Sequence, residues 1–239
     1  MMRLDKFLTE MEIGTRSQVK GIIKKGLIQI NGTICKDGDI KINEETDKIC
    51  YQGEELRYQK YRYYMLNKPG GVVTATRDKS DKTVMDLITE ERKKDLSPVG
   101  RLDKDTEGLI LITNDGALAH ILLSPKKHVD KVYRVKCKAI LTDEDIANLE
   151  KGVDIGDADI TLPAKVTKID DKEILLTIHE GRFHQVKRML QAVDNEVIFL
   201  KREAFGSLML DEQLETGKYR VLTENEVDAL KALAGLQGK

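Results

Sequence analysis

The 239-residue chain reads as an α+β protein, with a small N-terminal α/β module followed by a larger domain built on a mixed sheet. Three observations predict this. Two short amphipathic helical patterns and several short strands fill the first fifty residues. A polar, aperiodic stretch follows over 52–61. Beyond it, β-rich runs and helical segments succeed one another without the strict alternation of a doubly wound sheet. The expected boundaries are 1–51 for the module, 52–61 for a linker and 62–239 for the large domain.

The first helix follows from Leu4, Phe7, Leu8 and Met11, spaced i, i+3, i+4, i+7 on one face, with Gly14 as its expected C-cap. Thr15-Arg16-Ser17-Gln18 has the form of a capping box and opens a second helix. Val19, Ile22 and Ile23 face inward there, Arg16, Lys20, Lys24 and Lys25 face outward, and Gly26 stops it. Leu27 to Ile30, the turn pair Asn31-Gly32 and further short strands to about Tyr51 complete the module. In the larger domain, strands are expected at Tyr64–Leu66, Gly108–Thr113, Tyr133–Cys137, Ile174–Ile178 and Val197–Leu200. Helices are expected near 83–94, 117–123, 143–151 and 184–193. Thr223-Glu224-Asn225-Glu226 is a second capping box before a final helix with Val227, Leu230 and Leu233 on one face.

Charged residues make up 34% of the chain and apolar residues 40%, the balance of a water-soluble globular protein. The N-terminus lacks the apolar run of a signal peptide, and no stretch reaches the length of a membrane span. The three cysteines, Cys35, Cys50 and Cys137, are widely spaced without a CxxC, which argues against a zinc site or disulfide framework and for a reducing cytoplasm. The net charge of −1 is unevenly spread. Residues 56–77 carry five basic side chains, no acid and four tyrosines, and residues 1–26 and 181–202 are also basic on balance. A local basic face, rather than total charge, is what binds phosphate.

Four segments stand out: Leu66-Asn67-Lys68-Pro69-Gly70-Gly71, Gly100 to Leu109, Lys131 to Val135, and Glu180 to Met189. Each has an ordinary structural explanation. Turn chemistry accounts for Asn-Lys-Pro-Gly-Gly, a loop aspartate is usually a turn or cap residue, and a strand tyrosine usually packs. His184 has no second histidine at ligand spacing, so no metal site is read.

Taken together, these segments resemble a known family. Gly100-Arg101-Leu102-Asp103-Lys104-Asp105-Thr106-Glu107-Gly108-Leu109 resembles the G-R-L-D-x-x-T-x-G-L signature of pseudouridine synthases. Glu180-Gly181-Arg182-Phe183-His184-Gln185-Val186-Lys187-Arg188-Met189 resembles the E-G-x-x-H-Q-V-K-R-M motif of the RsuA branch, which modifies small-subunit ribosomal RNA. Ser124 to His128, followed by Lys131-Val132-Tyr133, also matches that branch. The module, through Arg3 to Leu8, Arg16-Ser17 and Ile28 to Gly32, resembles the S4 RNA-binding domain. The resemblance runs from Arg3 to about Leu230. Lys187 departs from the arginine of related branches, a change that the small-subunit branch tolerates.

The resemblance implies an S4-like domain followed by a mixed-sheet pseudouridine synthase domain. Its reaction would isomerise one uridine of 16S ribosomal RNA, the uridine-516 site, during ribosome biogenesis. Uracil leaves C1′ of its ribose, rotates and returns through C5, so no cofactor, metal or ATP is required. Asp103 is the expected catalytic carboxylate, attacking the sugar or assisting departure of the base. Lys187 would supply its counter-charge, and Tyr133 would stack on the uracil. Arg101 would fill the space left by the extruded nucleotide, since stacked bases hide C1′ and C5. RNA contacts are expected from Arg3, Arg16, Lys20, Lys24, Lys25, Arg182, His184, Gln185 and Arg188. The expected partner is ribosomal RNA, naked or in a partly assembled small subunit, with a monomeric, cytoplasmic enzyme and no membrane. Two other readings compete. A non-catalytic RNA-binding or assembly factor would have lost the aspartate or the last motif. A glycosidase would use Asp103 and Asp105 as a carboxylate pair.

Overall fold

The structure is a computed structural model that describes residues 1–44, 46–56, 58–90, 93 and 95–236. They form two compact units, Met1–Lys60 and Tyr61–Lys239.

The first unit comprises β1 (Met2–Arg3), α1 (Leu4–Glu10), α2 (Arg16–Lys24), β2 (Ile28–Ile30), β3 (Thr33–Cys35), β4 (Lys41–Ile42), β5 (Ile49–Tyr51) and β6 (Glu54–Leu56). Leu4, Phe7 and Leu8 pack with Val19, Ile23, Ile28, Ile42 and Ile49 in its core. The expected capping box forms, with Thr15 accepting from the Gln18 amide and the Gln18 side chain accepting from Thr15 N. Helix α1 ends earlier than Gly14. Glu12 takes the left-handed position (φ 56°), and its amide and that of Ile13 bond the carbonyls of Thr9 and Leu8. The 6→1 and 5→2 bonds of that ending stop the helix without a glycine. The stretch expected as a linker is partly ordered into the module, because β6 pairs with β5 across a Gln52-Gly53 turn. Residue 57 of that stretch lies outside the described residues.

The second unit adds β7 (Tyr63–Lys68), β8 (Ser97–Val99), β9 (Glu107–Thr113), α3 (Gly116–Leu123), β10 (Lys131–Cys137), α4 (Asp143–Lys151), β11 (Lys165–Asp170), β12 (Glu173–Ile178), α5 (Gln185–Gln191), β13 (Val197–Phe205), β14 (Leu208–Met209), β15 (Tyr219–Val221) and α6 (Glu224–Ala234). Its sheet runs β11-β12-β10-β13-β9-β7-β15, with β14 beside β13 and β8 beside β9. Among the described strands β13 and β9 pair in parallel and the other pairs are antiparallel, so the sheet is mixed as expected. Strands β7 and β9 are buried on both faces, which explains the unbroken apolar run Leu109 to Ile112. Ile110 and Ile112 pack toward α4 and α5, while Leu109 and Leu111 pack toward α3 and α6. The expected helix near 83–94 is a 3-10 turn at Val84–Leu87, and residues 91, 92 and 94 lie outside the described residues, as do 237–239 at the end of the expected domain. In α6 the inward face is Val227, Leu230 and Ala234, whereas Leu233 is partly exposed.

Candidate active site

The parallel seam between β9 and β13 is short, with only Lys201↔Glu107 and Arg202↔Gly108 in register. A Cβ on Gly108 would lie 2.3 Å from the Arg202 carbonyl oxygen, and its φ is +99°. Only glycine meets both conditions. That close approach fixes the N-terminal end of β9 against β13, and the loop carrying Asp103 leads directly into it.

The loop is held from one side by the segment after β7. The buried Lys68 ammonium donates to the carbonyls of Pro69 (3.0 Å), Lys104 (3.1 Å) and Thr106 (2.6 Å). The Gly71 amide donates to Lys104 O at 2.8 Å. Thr74 Oγ1 accepts from Leu102 N (3.1 Å) and donates to Leu102 O (2.8 Å). Burial pulls Lys68 down to about 8, against the opposing pull of Asp105, Glu107 and Asp103. The Asn-Lys-Pro-Gly-Gly segment is therefore more than a turn. It clamps the aspartate loop, a role that a lysine ending an otherwise buried strand could have signalled.

The loop before α5 closes the other side. Glu180 accepts from Arg182 Nε (2.9 Å), Gln185 Nε2 (2.7 Å) and Leu162 N (3.0 Å). Arg182 also donates to the carbonyls of Asp159 (2.6 Å) and Ile160 (2.8 Å). Arg188 pairs with Asp157 (2.5 Å) and donates to Phe183 O (3.0 Å) and to Ile155 O. Arg182, Gln185 and Arg188 are thus engaged within the protein, where they shape the loop. His184 sits at the helix start in the left-handed conformation (φ 47°).

Arg101, Asp103, Tyr133, Arg182, His184 and Gln185 line one open cleft, with Thr106, Ile178 and Leu200 among its other walls. Asp103 is the one carboxylate among the described lining residues. Its side chain is 28% exposed, with Lys187 Nζ at 3.4 Å and His184 Nε2 at 3.6 Å. Tyr133 is buried in β10 and shares that lining, and Arg101 is exposed with no hydrogen bond or ion pair among the described residues. Lys187 is shared, since it also bonds both Asp105 oxygens at 2.6 and 2.8 Å. Burial pulls the Lys187 ammonium down, but the Asp105 bond and the charges of Asp103 and Asp105 outweigh it and leave its pKa above the ordinary lysine value. The Lys187 hydrogen bond likewise holds Asp105 below the usual carboxylate range. Among the S4-type residues, Arg16, Lys20, Lys24 and Lys25 are exposed, while Arg3 pairs with Asp5 (2.7 Å) and Asp39.

The mixed sheet thus sets the Asp103 carboxylate, within reach of the shared Lys187, in one cleft with the buried Tyr133, and a basic helical module precedes it in the chain, the parts an RNA-modifying enzyme would use. Residues 62–192 match the RNA pseudouridylate synthase model and residues 2–48 the S4 domain model, and the chain belongs to the RNA pseudouridylate synthase family. It is 48% identical to the uncharacterized RNA pseudouridine synthase YtzG of Bacillus subtilis over 96% of this chain and 98% of that one. It is 42% identical to ribosomal small subunit pseudouridine synthase A of Vibrio cholerae over 96% and 99%. A crystal structure of a pseudouridylate synthase superposes with a TM-score of 0.69 at 40% identity, covering 96% of this chain and all of the other.

Proposed function

We propose that this enzyme converts one uridine of small-subunit ribosomal RNA to pseudouridine, at position 516 of the 16S molecule, with Asp103 as its catalytic carboxylate. The observation that carries the reading is the cleft, where Asp103 is the one carboxylate among the described lining residues, shares that lining with Tyr133 and has the Lys187 ammonium 3.4 Å away. The relatives named for small-subunit modification, aligned over nearly their whole length, support the substrate.

The target nucleotide is extruded into the cleft, because the stacked helix hides both reacting carbons. Tyr133 stacks on the base and Arg101 takes the vacated place. The bond from C1′ to N1 breaks and a bond from C1′ to C5 forms. The C5 proton passes to solvent, and N1 gains one. The Asp103 carboxylate faces the sugar throughout, and Lys187 balances its charge. The exposed cations of α2, with Arg3, hold flanking RNA electrostatically. Arg182, Gln185 and Arg188 serve the RNA through the loop that they hold, and His184 meets it directly.

The enzyme acts in the cytoplasm as a monomer, on RNA that is free or in a partly assembled subunit. Among the described residues no helix is long and apolar enough to cross a membrane. The test is to map pseudouridine in ribosomal RNA from cells with and without this gene. Loss at position 516 alone is expected, and an unchanged map would overturn the reading.

A further inference from the structure

Phe183 is 76% exposed in a chain with no tryptophan and four phenylalanines. Its ring stacks on His184 with centroids 3.8 Å apart and planes 19° from parallel. That imidazole in turn lies 3.6 Å from Asp103. The pair is not on a loose loop. The Phe183 carbonyl accepts from Arg188 at 3.0 Å, and on either side Arg182 and Gln185 are tied to Glu180. A single exposed apolar side chain is ordinary on a protein surface, but this ring is fixed in place and stacked on an imidazole that lines the cleft, so its outward face is a preformed aromatic platform.

We propose that the Phe183–His184 stack is a subsite for a nucleobase flanking the target uridine, which it receives by stacking on the outward face of Phe183. The proposal rests on the RNA-modifying reading above. Extruding one nucleotide interrupts the stacking of its neighbours, and a fixed aromatic face beside the cleft restores it for one of them. Every base has a π-face, so this subsite gives affinity with little sequence preference. The stack also fixes the imidazole next to Asp103, so occupation of the subsite and orientation of His184 are linked.

The test uses the full chain and a small-subunit RNA transcript labelled with tritium at C5 of uridine, following both tritium release and equilibrium binding. Phe183→Ala and Phe183→Leu should each raise Kd and KM roughly 5- to 100-fold, the range of one base–aromatic stack. Most of the loss should fall in KM rather than kcat. Phe183→Tyr should stay within about two-fold of wild type in the same stacking interaction. Leucine performing as well as tyrosine would show plain apolar contact and overturn the stack. Unchanged Kd in the alanine variant would overturn the subsite altogether. Failure of the underlying reading looks different, since wild type would then release no tritium while the binding comparison still judged Phe183.

Discussion

Lys187 binds Asp105 more closely than Asp103, with both Asp105 oxygens within 2.8 Å of its ammonium and the nearer Asp103 oxygen at 3.4 Å. Asp103 faces the cleft and Asp105 is mostly exposed. Asp105 therefore tethers the lysine from the solvent side, and Asp103 keeps its oxygens available to a substrate.

The two aspartates should accordingly differ sharply when neutralised. Asp103→Asn removes the charged oxygen that the proposed reaction uses, so tritium release should fall below detection while RNA binding stays close to wild type. Asp105→Asn makes the same charge change two residues away and should cost no more than about ten-fold, a 1.4 kcal/mol effect. Turnover in the first variant but not the second would reverse the assignment.

Lys187→Met keeps the aliphatic length and leaves both carboxylates without their cation. Activity should drop by orders of magnitude, and Lys187→Arg should recover part of it. The carboxyl of Asp105, followed by NMR titration, should move up in the methionine variant, since the lysine hydrogen bond is the largest cause of its depression. An unmoved Asp105 with normal turnover would show that the triad is not coupled.

Lys68 carries a pH signature. Its native pKa is about 8 because of burial, against 10.5 for a free lysine. Between those values the unfolded chain holds more protons than the native one, so the contribution of Lys68 to stability increases with pH across that window. The stability gap between wild type and Lys68→Met should therefore widen by about 2–3 kcal/mol from pH 7.5 to 10.5 in urea melts. At neutral pH the methionine variant should already be less stable, because three loop carbonyls lose their donor. A gap independent of pH would mean that Lys68 does not titrate in this range.

Gly108→Ala places a methyl group against the Arg202 backbone at a positive φ. A loss of about 3–5 kcal/mol is expected, lowering Tm by about 10 °C in calorimetry. Near-wild-type melting would imply a seam between β9 and β13 looser than the register indicates.

The basic face of α2 can be removed without touching a core. Arg16, Lys20, Lys24 and Lys25 changed together to glutamine should leave the melting curve in place, because all four are exposed. The slope of log affinity against log salt should shrink by up to roughly 3 if each meets a phosphate of single-stranded RNA. An unchanged slope would assign that face to something other than RNA.

The sequence by itself determined the local structure and the chemical vocabulary of this protein. Capping boxes at Thr15 and Thr223 and the apolar run of β9 are short-range features, and they appear where neighbouring residues require them. Asp103, Tyr133 and His184 could be singled out because their motifs lie within single segments. Tertiary structure decided how those segments meet. Nothing local says that Lys68 reaches the carbonyl of Thr106, or that Lys187 is shared between Asp103 and Asp105 across more than eighty residues of chain. It also decided which polar side chains remain available, since Arg182 and Arg101 look alike as cations but one is tied into a loop and the other is not. The buried Lys68 must find partners wherever the fold brings them, and for the partly exposed groups too the partner is set by which segments pack together rather than by sequence distance.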